Sequence, residues 1–534
     1  YKISLNEYDE SLVTILRKKN ESKLLYHLNP PENSLSEDYN MLLNLARSVL
    51  IDHQPKAEEF TDPERTRQVF FNVSRDLLQE LSRNKRIKLS YSQLNKLATI
   101  LVRHTIGFGI VEVLLSDDKI QDISVNSPAG VNPVTVIHAD FGECVTNIII
   151  SPREMDSWAT KLRMISGRPL DEANPVLDTR LIVPGGTARV AAIQQPLSPS
   201  GIAYSFRRHR EKPWTIPLFI ENKMISPLGA GLLSFIIDGA RTLLIAGTRS
   251  AGKTSLLSSL LVEIMRSNRI ITVEDTLELP VSQLKDLGYD IQSMKVQSVI
   301  TGGKAEVPAA EGIRTSLRMG DSCLIVGEVR GPETIALYEA MRVGALANVV
   351  AGTIHGDSPY GVFDRIVNDL KVPKTSFKAT DIIVICNPVK SASGLEKVRR
   401  VTQITEVRKE WTEDPMAEHA FVDLMVYNPK TDMLEPTDAL IQGESEIIKS
   451  IAARVREWAG DWDAVWQNIQ LRAKIKQTIV DAKKPSLMEG EFVIAANDEF
   501  HKITERVRKE TGVSDPDRIY SEWLDWFKKK SRRA

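Results

Sequence analysis

Residues 247–257 read GTRSAGKTSLL, and the first eight fit the pattern G-x-x-x-x-G-K-[ST]. That pattern is informative only between a buried strand and a helix, and both flanks qualify. TLLIA (242–246) is a short apolar run, and SLLSSLLVEIMRSN (255–268) has apolar residues at helical spacing. Glycines at Gly247 and Gly252 let backbone N–H groups turn toward phosphate oxygens, and the helix N-terminus adds partial positive charge. Lys253 is placed to reach the β- and γ-phosphates, and the Thr254 hydroxyl to hold Mg²⁺. The segment Gly247, Thr248, Arg249, Ser250, Ala251, Gly252, Lys253, Thr254 and Ser255 is therefore the candidate binding loop for ATP with Mg²⁺. Arg249 is unusual in a loop commonly built from small residues. A long cation there reaches the β-phosphate side, points to a neighbouring subunit or faces solvent, and the sequence leaves all three open.

Three further apolar runs end in polar residues. IITVEDTLELP (270–280) delivers Glu274, Asp275 and Glu278; LRMGDSCLIVGEVRG (317–331) delivers Glu328; NVVAGTIHGDSP (348–359) delivers Thr353, His355 and Asp357. In open α/β sheets ligands bind at the carboxyl ends of the strands, where carboxylates can hold a metal's water shell or orient an attacking water. Strand-end acids also commonly cap turns, and a strand-end histidine is commonly a structural hydrogen bonder. Arg314, Arg318 and Arg330 flank Glu328, and surface ion pairing is the ordinary role for each. Residues 228–405 alternate apolar strands with helical segments, the pattern of a mostly parallel sheet with crossover helices.

Composition narrows the class. Lys and Arg number 69 against 70 Asp and Glu, so no global basic field points to nucleic acid. With 42% hydrophobic and 26% charged residues, the chain has the balance of a soluble multidomain protein. Its three cysteines, Cys144, Cys323 and Cys386, are scattered, which fits neither a disulfide framework nor a zinc site and suits a reducing cytoplasm. No apolar run approaches the ~18 residues of a membrane span.

The four boxes in this order resemble the secretion/pilus ATPase superfamily, which includes type II secretion, type IV pilus and VirB11-like motors. GTRSAGKT is similar to its Walker A, ITVEDTLEL to its Asp box, LIVGEVRG to its Walker B and GTIHGDS to its His box. The resemblance implies a RecA-like P-loop domain. It makes Glu278 and Glu328 the residues that coordinate metal and activate water, and His355 a γ-phosphate sensor. Upstream, GGTARVAAIQQPLSPSG and YSFRRHREKPWT resemble the family's PAS-like domain. There Arg189 and Arg207 fall on the positions of arginines that approach nucleotide as a ring closes; Arg207 is the stronger candidate, ahead of Arg189, Arg208 and Arg210, and a solvated basic strand end is the alternative for RRHR. A guanidinium suits that task because it stabilises charge on a transferring phosphoryl group.

The same resemblance implies a homo-hexamer at the inner face of the membrane. It would work on a polytopic platform protein and, through it, on prepilin-like filament subunits. Three departures are visible. LRMGDS lacks the family's Pro-Asp before Walker B, the four-cysteine zinc element is missing, and the His box has a single histidine. The form GTIHGDSPYGVFDR favours an archaeal pilus-type ATPase over an archaellum motor. A nucleic-acid translocase and a P-loop phosphotransferase remain alternatives.

The expected organisation is α/β. It comprises a helical region over 1–104, an α+β domain over 105–211, a proline-rich linker over 212–227, the P-loop domain over 228–405 and a mainly helical extension over 406–534. In that extension Trp458, Trp462 and Trp466 form a helical stripe, suited to core packing or to docking a platform protein. The basic end KKKSRRA suits anionic headgroups or plain solvation.

Overall fold

The computed structural model describes residues 1–17, 19, 21, 23–51, 63–210, 212–297, 307–344, 348–390 and 397–532. The chain forms two compact units, Tyr1–Glu211 and Lys212–Ala534. Glu211 and the last two residues of the basic end lie outside the described residues.

Unit 1 is built on a sheet of nine strands among the described residues. They are β1 (Lys2–Ser4), β2 (Glu10–Leu16), β3 (Leu24–Asn29), β4 (Ile120–Val125), β5 (Pro133–His138), β6 (Gly142–Ile149), β7 (Val176–Val183), β8 (Gly186–Ile193) and β9 (Ala203–His209). The order across the sheet is β1-β2-β3-β6-β5-β4-β9-β8-β7, antiparallel throughout except for β3 beside β6. The expectation of a helical region over 1–104 is corrected at its start. The run ESLVTIL alternates exposed and buried positions, a period of two, and joins the sheet. Helices α1 (Glu37–Ile51), α2 (Pro63–Asn84) and α3 (Tyr91–Thr105) follow, and pack through Leu42, Ala46, Leu78, Leu97 and Leu101. The buried Arg103 of α3 ion-pairs with Asp9 and Glu32, tying the helices to the strands preceding them. Helices α4 (Ile110–Ser116) and α5 (Pro152–Ser166) cover the inner sheet face through Val111, Leu114, Met155, Trp158 and Leu162.

Unit 2 holds the second sheet, again nine strands among the described residues. These are β10 (Thr242–Gly247), β11 (Ile270–Glu274), β12 (Ile291–Lys295), β13 (Cys323–Val329), β14 (Val350–His355), β15 (Ile382–Lys390), β16 (Lys397–Val407), β17 (Phe421–Asn428) and β18 (Met433–Pro436). Their order is β12-β11-β13-β14-β10-β15-β16-β17-β18. From β12 to β15 the neighbours are parallel, and from β15 onward antiparallel. A boundary at 405 would fall inside β16, so the extension expected after it begins as the continuation of the same sheet. The segment 212–227 is no spacer either. Its helix α6 (Ile216–Glu221) buries Ile216, Phe219 and Ile220 in the core, and the Thr215 hydroxyl donates to the Met488 carbonyl at 2.6 Å.

Helix α7 (Pro227–Asp238) precedes β10 and helix α8 (Lys253–Leu261) follows the binding loop. The C-terminal helices Trp462–Asp481 and Gly490–Thr511 share one core with them through Val465, Ile469, Val493 and Ile494. A buried ion pair, Lys476 with Glu263 at 2.6 Å, and a partly exposed one, Arg472 with Asp238 at 2.5 Å, reinforce this contact. The expected helical stripe is corrected: Trp458 lies in the turns before the helix that starts at Trp462 and meets Phe235 with ring centroids 5.4 Å apart, while Trp462 stacks on Trp466 at 6.1 Å. Among the described residues, no single helix is long and apolar enough to cross a membrane.

Two stability predictions follow from these buried charges. Glu263→Gln strands the Lys476 ammonium in the core and is expected to lower the unfolding free energy by about 3–5 kcal/mol in urea titrations. The paired change Glu263→Leu with Lys476→Met is expected to recover most of that loss. In unit 1, burial lowers the Lys161 pKa from 10.5 to about 8. Between those values the unfolded chain binds more protons, so stability rises with pH across that window. Lys161→Met is expected to flatten the pH dependence of denaturation there by on the order of 3 kcal/mol.

Candidate active site

The parallel register of unit 2 brings the sequence boxes to one edge. β10 pairs with β14 so that Gly247 lies opposite His355, and with β15 so that Gly247 lies opposite Cys386. The backbone passes so close to β15 that a Cβ on Gly247 would stand 2.0 Å from the Cys386 carbonyl oxygen, so only glycine fits. The loop then turns through Ser250, held at φ 62°, and Gly252, at φ 92°, into α8. Ser250 is a non-glycine residue in the left-handed region, and Arg399 of β16 steadies it by donating from Nε to the Ser250 carbonyl at 2.9 Å. Thr248, Arg249 and Ser250 are exposed, whereas Ala251 and Lys253 are buried and Thr254 and Ser255 half-buried.

Lys253 anchors the constellation. Its Nζ donates to the carbonyls of Gly247 at 3.1 Å and Thr248 at 3.0 Å, and lies 3.4 Å from His355 Nδ1. On the far side of the ring, His355 Nε2 lies 2.9 Å from Glu328 Oε1. Burial lowers the Lys253 pKa, and burial together with the Lys253 charge lowers that of His355. A neutral imidazole that accepts from Lys253 at Nδ1 and donates to Glu328 from Nε2 satisfies both contacts. The second Glu328 oxygen takes Arg330 at 2.6 Å, and Arg330 also reaches Asp275 at 3.6 Å. Lys253, His355, Glu328 and Arg330 thus form one chain of contacts along the carboxyl ends of β10, β13 and β14.

Glu278 stands on the loop that follows β11, and Glu274 fixes that loop. The Glu274 side chain is turned inward at 2% exposure, with Oε1 accepting from the backbone N–H of Glu278 at 2.8 Å and of Leu279 at 2.9 Å. Burial pushes its carboxyl up to about 7. Thr353 serves the sheet, its buried hydroxyl donating to the Gly327 carbonyl at 2.7 Å. Arg314 pairs with Glu339 at the surface, the ordinary role expected for it.

Residues 160–410 match the family described as type II/IV secretion system protein. This stretch, just under half of the chain, is what is similar to that family. A relative, an uncharacterized protein of Methanocaldococcus jannaschii, is 24% identical over 478 residues, spanning 86% of this chain and 82% of its own length. A putative conjugal transfer protein of Mycobacterium tuberculosis is 29% identical over 266 residues, or 49% of this chain and 72% of that protein. Among solved structures, the ATPase DotB of Legionella pneumophila is 14% identical, covers 70% of this chain and 95% of its own, and superposes with a TM-score of 0.40.

The matched region extends into unit 1, where the two expected arginines stand side by side. Arg189 on β8 is the direct cross-strand partner of Arg207 on β9. Arg189 holds Asp178 from Nε, to Oδ1 at 3.0 Å and Oδ2 at 3.2 Å, and from Nη2, to Oδ2 at 2.5 Å, and Arg207 donates to Asp122 at 2.9 Å. Like charges placed directly opposite repel, and these aspartates offset that repulsion. Arg399 is a site residue that sequence reasoning did not single out, and Glu274, one of the strand-end acids it offered, turns out to cap its own loop. Glu274 was visible as a strand-end acid, but only its inward rotamer shows what it does. Gly247→Ala is expected to lower stability by about 1–3 kcal/mol through overpacking against β15, read by thermal denaturation, and to weaken nucleotide binding in the same protein.

Proposed function

We propose that the chain is a motor ATPase that hydrolyses Mg-ATP to drive secretion or assembly of a type IV pilus-like filament. The observation that carries this reading is the contact chain Lys253–His355–Glu328, set beside a phosphate-binding loop at the carboxyl ends of parallel strands. Residues 160–410 are similar to type II/IV secretion system proteins, and the donor set suits a polyphosphate with its metal. The binding loop and the start of α8 offer N–H groups with a buried ammonium among them, while a hydroxyl on α8, a carboxylate on β13 and another on the loop after β11 stand at the carboxyl ends of the parallel strands. Bound Mg-ATP would supply the γ-phosphoryl group that passes to water, with ADP as the leaving group.

The chain's own residues divide the remaining work. Lys253 binds the β/γ oxygens in exchange for its two carbonyl partners. The Thr254 hydroxyl, Glu278 and Glu328 hold the metal and its water shell. Glu328 and Glu278 orient the attacking water, and His355 relays the state of the Lys253 contact to Glu328. Arg189 and Arg207, on the sheet we read as the PAS-like domain, complete the charge around a neighbouring subunit's nucleotide in a homo-hexamer. The sheet of unit 2 corresponds in this reading to the RecA-like motor domain. The ring would act at the inner face of the membrane on a polytopic platform protein, and through it on prepilin-like subunits.

Lys253→Ala is expected to abolish release of inorganic phosphate from Mg-ATP while leaving the circular dichroism spectrum unchanged. Glu278→Gln and Glu328→Gln are expected to lower kcat by about 10²–10⁴-fold while nucleotide still binds. Normal turnover by the Lys253 variant, or phosphate passed to an acceptor instead of released, would contradict the reading.

A further inference from the structure

We propose that Glu274 is a positioning residue of the hydrolytic site, which sets Glu278 against Glu328 by clamping one acidic box to the other. The inference rests on the ATPase reading above and names how the loop that carries one of its carboxylates is fixed beside the strand that carries the other. Three observations converge on it. First, Glu274 Oε1 accepts from two successive backbone N–H groups, those of Glu278 at 2.8 Å and Leu279 at 2.9 Å. That carboxylate oxygen therefore holds the backbone that presents Glu278.

Second, the same side chain leans on the box that carries Glu328. β11 and β13 are parallel neighbours, with Thr272 opposite Ile325 and Val273 opposite Val326. In that register Glu274 faces Gly327, the residue before Glu328. A Cβ on Gly327 would meet Glu274 Cγ at 2.9 Å, so the glycine makes room for the clamp. The Gly327 carbonyl is fixed in turn by Thr353, through the hydroxyl contact at 2.7 Å. A single side chain thus contacts both acidic segments, and a buried row links Glu274, Gly327 and Thr353 across β11, β13 and β14.

Third, Glu274 is a poor choice if stability alone set the residue. Its Oε2 is buried without a hydrogen-bond partner, as is the hydroxyl of Thr272, two residues back on the same strand face. An unpartnered buried carboxylate oxygen is unfavourable, and such groups are rare in folded proteins without a functional reason. The side chain's inward orientation keeps it from touching the reacting atoms, so its action runs through Glu278.

The test compares Glu274→Ala and Glu274→Gln in the full chain, assayed for kcat and KM with Mg-ATP below the onset of melting. Removing the clamp is expected to lower kcat on the order of a hundredfold, with KM held within about threefold. Glutamine keeps a carbonyl oxygen for the same two N–H groups and is expected to stay within about tenfold of the unsubstituted chain. Wild-type kcat in Glu274→Ala would overturn the proposal, and so would Glu274→Gln as slow as Glu274→Ala. If the alanine variant does not fold, Gly327→Ala takes its place, since its methyl presses on Glu274 Cγ. A lowered kcat with unchanged KM is then expected, and wild-type kcat would overturn the proposal. Lys253→Ala is the control: its turning over ATP normally would defeat the parent reading, independently of the clamp.

Discussion

The site depends on one buried ammonium. Lys253 lies at the mouth of the parallel sheet, and its contacts there are two neutral carbonyls and a neutral imidazole. Glu328 stands one step further along, reached through His355. Burial penalises the charge on Lys253, and carbonyl dipoles compensate only part of that penalty. A polyphosphate is a stronger partner for the same ammonium than the carbonyls are. The register of β10 against β14 and β15 places Lys253 in this position, because it sets Gly247 level with His355 and Cys386. A shift of one residue in that pairing would carry His355 to the other face of the sheet and break the contact chain.

The C-terminal helices give this site a second connection. α8 begins at Lys253, and just past its end Glu263 is locked to Lys476 and the Val262 carbonyl to Asn497. One end of the segment therefore belongs to the binding loop, and the other to helices beyond the region matched by the secretion family. Rigid, ion-paired packing of this kind transmits displacement better than a flexible tether does.

Much of this was legible in the sequence, and the physical reasons for what was not differ from place to place. The strands TLLIAG, IITVE, CLIVGEV and VAGTIH around the binding loop are apolar runs buried along nearly all their length, so period and composition agreed. The strands β1 to β3 were hidden in a polar segment, where a seven-residue alternation is easily outweighed by the long helical patterns that follow. The edge of unit 2 was misjudged because β16 to β18 join the sheet by antiparallel pairing, which carries no crossover helix to mark continuity. The packing of Trp458 against Phe235, before the helix that starts at Trp462, depends on neighbours that periodicity does not specify. Glu274 is the sharpest case: a strand-end acid reads the same whether it faces solvent or folds back to cap its own loop. Asp178 and Asp122, which hold Arg189 and Arg207, lie 11 and 85 residues away in sequence and become partners only through strand pairing.

The most direct test of the account is a structure of the protein with Mg²⁺ and a non-hydrolysable ATP analogue. The account predicts that Lys253 Nζ leaves the carbonyls of Gly247 and Thr248 for the β- and γ-phosphates, with the metal on Thr254 and its water shell facing Glu278 and Glu328. Lys253 still bound to those two carbonyls, with the nucleotide seated elsewhere on the chain, would contradict it.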